Sequence, residues 1–167
     1  SYNKAIALNA ELEDIGHWID IQEALCEPFM QSKQYDKAIT IYQDVREKVE
    51  EDETIFWYYK YRVYVFMADI YHKAGESDEA IVLYERALGV VEKWKTSFGL
   101  MSFNWQCAPI HEELSNIHKK KGESQKALFH QNKADELENK SQIIEKYLAA
   151  IGATVAISSI QLVLVGA

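Results

Sequence analysis

Small and aromatic residues recur along the chain at the spacing of one helix face. In the clearest case, Ala80, Tyr84 and Ala87 follow one another at intervals of four and three residues. This spacing places the three side chains on the same face of an α-helix. Two prolines and seven glycines in 167 residues leave long helices with little interruption. The pattern predicts an all-α protein with at least six long helices.

The same pattern occurs three times. Each copy is centred on a small anchor residue, at Ala38, Ala80 and Ala127. Four residues after the anchors stand Tyr42, Tyr84 and Gln131, and thirteen residues before them stand Leu25, Met67 and Leu114. Each copy predicts two antiparallel helices joined by a tight turn, at Lys33, Gly75 and Gly122. Glycine suits this place because it adopts the positive φ that ends the first helix.

The threefold pattern resembles the tetratricopeptide repeat over roughly residues 1–138. The resemblance implies antiparallel helical hairpins stacked as a short right-handed superhelix. Consecutive anchors are 42 and 47 residues apart instead of the usual period of about 34. Longer repeats of this kind are similar to those of peptide-sensing bacterial regulators and kinesin light chains. We assign the additional residues to lengthened helices, with a loop near Gly99 to Asn104.

The sequence divides into a repeat region at 1–146 and an apolar segment at 147–167. The predicted units are a half repeat at 1–15 and repeats at about 19–50, 54–95 and 108–138. The half repeat rests on Tyr2-Asn3-Lys4-Ala5, which matches Tyr35-Asp36-Lys37-Ala38. A unit without its first helix would expose an apolar face to water. We therefore expect further repeats of the same parent protein.

The C-terminal segment has no charged residue from Tyr147 to Ala167. As a helix it would be about 30 Å long, which is enough to span a hydrocarbon core. Lys140 and Lys146 precede it and would place the repeats in the cytoplasm. Two alternatives stay open: a capping helix buried against the last repeat or another chain, and a strand at 160–165 that opens another domain. The predicted location is cytoplasmic, with membrane association if the segment spans a bilayer.

Charge and cysteine content exclude some classes of partner and compartment. A net charge of -8 argues against a nucleic-acid partner, because phosphate contacts need clustered Lys and Arg. The two cysteines, Cys26 and Cys107, form no CxxC pair and are interpreted as buried reduced thiols in a cytosolic repeat region. The acidic run at 50–53 is predicted at a helix start and the lysines at 119–121 at a helix end, where each sign of charge favours the helix dipole.

The sequence predicts no enzyme. His111-Glu112-Glu113 has the start of a zinc-protease helix, but Ser115 stands where that motif needs a second histidine. His118 occupies the packing position that Phe29 and Tyr71 hold in the other units. Cys26 matches the small packing residues Ala68 and Ser115, so it is assigned to the core. We predict no catalytic residue, no metal ligand and no cofactor.

The family resemblance implies that the first helix of each unit lines a groove that binds a protein or peptide. Carried onto this sequence, the inward positions are Asp20, Glu23, Glu27, Met30, Arg62, Val65, Asp69, His72, Glu112, Asn116 and Lys119. Family members that clamp the C-terminal carboxylate of heat-shock chaperones need Lys where Glu23 and Glu112 stand. The resemblance therefore implies a basic or amphipathic partner and a non-enzymatic binding scaffold. The alternative is a membrane-anchored assembly factor with 147–167 as its anchor.

A run of aromatic residues from Phe56 to Phe66 is denser than one helix face needs. We expect most of these rings to pack between repeats. The remainder, Trp57, Tyr58 and Tyr61, would form an exposed ridge that could bind a partner instead of the groove.

Overall fold

The computed structural model describes the backbone of residues 2–53, 55–98 and 104–165, and most side chains between 15 and 147. All regular structure in these ranges is helical. The six helices are α1 (Tyr2–Gln31), α2 (Tyr35–Glu51), α3 (Trp57–Ala74), α4 (Ser77–Phe98), α5 (Asn104–Lys120) and α6 (Ser124–Val165). The predicted all-α fold of helical hairpins is confirmed.

The helices pack in consecutive pairs. Within the pairs, α1 packs on α2, α3 on α4 and α5 on α6, while α2 with α3 and α4 with α5 join one unit to the next. The anchors Ala38, Ala80 and Ala127 are buried. Their lack of a longer side chain lets the two helices of each unit approach closely, as the sequence predicted.

The three hairpin turns have one geometry. Gly75 and Gly122 have φ of 92° and 75°, and Lys33 takes the same left-handed position with φ of 57°. In each turn the N–H groups of this residue and the next one donate to carbonyls of the preceding helix. These bonds satisfy carbonyl groups that a helix end otherwise leaves without partners.

A second small position lies opposite the anchors. Cys26 is fully buried, and its thiol donates to the carbonyl of Ala38 at 3.7 Å. Ser115 makes the equivalent bond, from Oγ to the carbonyl of Ala127 at 2.9 Å. Burial raises the pKa of Cys26 to about 11, so its thiol stays protonated at neutral pH. The assignment of Cys26 to the core is confirmed.

Helix α1 differs from the sequence prediction. It continues through residues 15–19, where we expected a boundary between the half repeat and the first full repeat. Gly16 lies within this helix and does not have positive φ. An added Cβ there would lie 2.7 Å from Tyr59 Oη, so the glycine gives room to a ring of α3. One interior glycine costs a helix only about 1 kcal/mol and does not by itself end it.

The acidic run at 50–53 was assigned to the wrong end of a helix. It lies at the C-terminus of α2, where negative charge opposes the helix dipole. The charge of Glu50 is offset by two arginines. Arg86 Nη1 lies 2.8 Å from Glu50 Oε1, and Arg46 Nε lies 3.8 Å from the same oxygen. The lysines at 119–121 lie at the end of α5, as predicted.

The C-terminal segment is part of α6, which is helical to Val165. The alternative of a strand at 160–165 is therefore wrong. The side chains of residues 150–165 lie outside the described part, so its role as an anchor or a cap stays a prediction. Among the described residues, no helix is both long and apolar enough to cross a membrane. The predicted loop near Gly99 falls on residues 99–103, which are also outside the described part.

Candidate functional site

The predicted groove residues lie on the first helices of the three units, α1, α3 and α5. We call the surface that carries them the inner face. Contacts between neighbouring first helices show that their parts of this surface adjoin. Arg62 of α3 bonds to α1, and His72 Nε2 of α3 lies 3.4 Å from Lys120 Nζ of α5.

Arg62 joins two acidic residues of the inner face. Its Nη2 lies 2.7 Å from Asp20 Oδ1 and 2.9 Å from Glu23 Oε2. The Tyr42 hydroxyl donates to the other oxygen of Glu23 at 3.0 Å. Two carboxylates around one guanidinium leave this part of the inner face with a net negative charge.

Asp69 is the central carboxylate of the inner face. It is partly buried and accepts a hydrogen bond from the Tyr84 hydroxyl. Burial holds the pKa of Asp69 above its ordinary value, while the Tyr84 bond and the charge of Lys73 oppose that rise.

The third unit presents more solvated groups. Glu112 and Asn116 are exposed, as is Glu27 in the first unit. Lys119 is also exposed, and its Nζ donates to Gln131 Oε1 at 3.2 Å.

Three other predicted groove residues, Met30, Val65 and His72, are partly buried. Met30 and Val65 pack against the core. These two side chains therefore contribute apolar surface between the charged groups.

The predicted aromatic ridge is mostly a packed seam. Trp57 is only 6% exposed, and its ring centroid lies 6.4 Å from that of Trp94 in α4. Tyr58 and Tyr61 stack with centroids 6.2 Å apart, and the Tyr61 hydroxyl donates to the carbonyl of Gln106 at 3.0 Å. Trp57 thus cannot belong to an exposed ridge. The exposed ring is that of its neighbour Phe56, at 43%.

Three histidines meet between α5 and α6. His111 Nδ1 and His130 Nδ1 lie 2.9 Å apart, and the His118 ring stacks on that of His130. His118 is buried and bonds to Glu123 at 2.7 Å, so its predicted packing role is confirmed. The described residues include no group of three or more ligand-type side chains placed to hold a metal ion. Sequence reasoning missed His130, because nothing local links it to His111 nineteen residues earlier.

An open cavity of about 460 Å³ lies beside these histidines. Its lining includes Leu88, Val91, Cys107, His111, Phe129 and Leu137. The sequence did not predict it, because α4, α5 and α6 contribute separate walls.

Comparison with known proteins supports the class of fold. Residues 63–97 match the model of the tetratricopeptide repeat. The crystal structure of BtubC (BKLC) from P. vanneervenii has 22% sequence identity and a TM-score of 0.58 over 83% of this chain and 50% of that chain. A structure of MamA from MSR-1 has 22% identity and a TM-score of 0.53 over 84% of this chain and 72% of that chain. No curated protein sequence matches the chain significantly.

These likenesses define a protein of tetratricopeptide-like helical hairpins. The repeat match lies on α3 and α4, and the two structures show the shared fold alone. The chain spans about half the length of BtubC. Repeats of this class generally serve as protein-interaction modules without catalytic activity.

Proposed function

We propose that the chain is a non-enzymatic scaffold module whose inner face binds a basic or amphipathic segment of a partner protein. The observation that supports this most directly is the balance of charge. The acidic predicted residues are Asp20, Glu23, Glu27, Asp69 and Glu112, against the two cations Arg62 and Lys119.

Both cations already have acceptors within the chain. Arg62 is held by Asp20 and Glu23, and Lys119 by Gln131. Glu27 and Glu112 are exposed and face water. A partner with Lys or Arg side chains would gain complementary charge here, while an acidic partner would be repelled.

The test uses two labelled probes, an amphipathic helical peptide of lysine and leucine and its counterpart with glutamate at each lysine. Fluorescence anisotropy at low and high salt measures the affinity of each. We expect binding of the lysine peptide that weakens as salt rises, because exposed charges are screened within about 10 Å at 0.1 M. Glu112→Lys should weaken that binding roughly tenfold at low salt.

The matched control is Glu85→Lys, which makes the same change of charge on an exposed residue of α4, outside the inner face. If both variants lose the same affinity, binding follows net charge alone and the assignment of the inner face is wrong. Preference for the glutamate peptide would also contradict the proposal.

A further inference from the structure

One position of the repeat reaches the inner face in all three units. It lies four residues after the anchor alanine, on the second helix of each hairpin. Tyr42 donates to Glu23 Oε1 at 3.0 Å, and Tyr84 donates to Asp69. In the third unit Gln131 Oε1 accepts from Lys119 Nζ at 3.2 Å.

The two tyrosines cannot touch a ligand themselves. Tyr42 and Tyr84 are fully buried. A buried hydroxyl without a partner costs free energy, so each tyrosine needs the carboxylate that it bonds. The bond in turn restricts the rotamer of Glu23 or Asp69, which would otherwise lose conformational entropy on binding a partner.

We propose that the residue four positions after each anchor determines which charge the unit presents to a partner. Tyr42 and Tyr84 hold carboxylates for the cationic side chains of that partner, and Gln131 holds Lys119. These three are positioning residues, and the proposal rests on the function proposed above. It also specifies where the charges of the partner lie. Its cationic side chains lie over units one and two, and an acidic side chain of the partner lies at Lys119.

The surroundings of Asp69 give a readout that does not depend on any partner. The Tyr84 bond lowers the pKa of Asp69, against burial and the nearby Glu113, and Lys73 and His72 act in the same direction as Tyr84. Removal of the Tyr84 hydroxyl should therefore raise the pKa of Asp69 further. The carboxylate would then lose its charge at a higher pH than in the parent protein.

The experiment compares Tyr42→Phe and Tyr84→Phe with Tyr61→Phe. The control also loses a hydroxyl that donates within the protein, but to the backbone carbonyl of Gln106 and not to an inner-face carboxylate. Carbon-13 NMR follows the titration of the Asp69 carboxyl group, and anisotropy follows the affinity for the lysine–leucine peptide. We expect Tyr84→Phe to raise the pKa of Asp69 and weaken peptide binding several-fold, increasingly so as pH falls. Tyr42→Phe should weaken binding without this effect on Asp69.

The outcomes separate the two proposals. An unchanged Asp69 titration in Tyr84→Phe overturns the positioning role, whatever the peptide does. A raised pKa of Asp69 with unchanged affinity shows that the bond exists but does not govern binding, which also overturns the inference. Failure of the parent protein to prefer the lysine peptide contradicts the proposed function, and the NMR result then stands on its own. If Tyr61→Phe loses as much peptide affinity as the other two variants, the effect comes from a general loosening of the fold, and the positioning role is overturned.

Discussion

The first hairpin turn carries a conformational cost at a single residue. Lys33, Gly75 and Gly122 occupy the same left-handed position, but only Lys33 has a side chain there. The Cβ of an L-residue is crowded in this region, at a cost of about 1–2 kcal/mol. The turn forms nevertheless, because the N–H groups of Lys33 and Gln34 bond to the carbonyls of Met30 and Phe29.

We therefore predict that Lys33→Gly stabilises the protein. Relief of the crowding is partly offset by the greater entropy of glycine in the unfolded chain, so the net gain should be about 0.5–1 kcal/mol. Urea unfolding measures the change, with Gly75→Ala as the reverse variant, which should destabilise by a similar amount. A loss of stability in Lys33→Gly would mean that residue 33 does not adopt the left-handed conformation in solution.

At the scale of elements, the interface of α5 and α6 depends on protonation. The Nδ1 atoms of His111 and His130 are 2.9 Å apart, so they can share one proton but cannot both carry one. Burial, with the neighbouring His111 and His118, lowers the pKa of His130 to about 4. Burial and Lys133 also lower the pKa of His111.

This interface should lose stability in mild acid. In the unfolded chain His130 binds a proton near pH 6.5, whereas in the folded state it does so near pH 4. Between these values the unfolded state binds more protons, so the free energy of unfolding falls as pH falls. Protonation of His130 should not affect the free energy of unfolding above pH 6.5 and should lower it by on the order of 3 kcal/mol by pH 4.

The measurement is urea unfolding across this range for the parent protein and His130→Gln. The variant should be less stable at neutral pH but should depend less on pH. His17→Gln, an exposed change on α1, serves as the control. If the free energy of unfolding has the same pH dependence in His130→Gln and in the parent, His130 is not the source of the loss of stability in acid.

The sequence predicted those elements that local pattern controls. Anchors, hairpin turns and the pairing of helices follow from spacing within one unit, so Ala80 and Gly75 could be assigned directly. The side-chain contacts that one helix makes with another were not accessible in this way. The burial of Trp57 depends on Trp94, and the link from Tyr84 to Asp69 crosses two helices. The continuity of α1 was missed because the repeat pattern shows only which residues are equivalent between units. It does not show whether the chain turns between them, which depends on the local backbone conformation.

At the scale of the whole molecule, the first unit is not equivalent to the other two. Met67 and Leu114, thirteen residues before their anchors, are fully buried, and their helices α3 and α5 pack on the second helix of the preceding unit. Leu25 holds the same position in the first unit but is 52% exposed, and Ile21 beside it is 49% exposed. No described element covers this side of α1. Stacked repeats bury the equivalent faces against a neighbouring unit.

The position in the first unit should therefore respond differently from the other two to the same truncation. Leu114→Ala removes buried methyl groups and leaves a cavity, which should cost about 2–5 kcal/mol. Leu25→Ala removes a side chain that is half exposed, so we expect a cost below about 1 kcal/mol. Met67→Ala should resemble Leu114→Ala, because both side chains are fully buried. Urea unfolding of the three variants measures the differences, and sedimentation velocity records whether the protein is a monomer. If Leu25→Ala costs as much as Leu114→Ala, the face of α1 is covered in solution, and a change in sedimentation between parent and variant would identify a second copy as the cover.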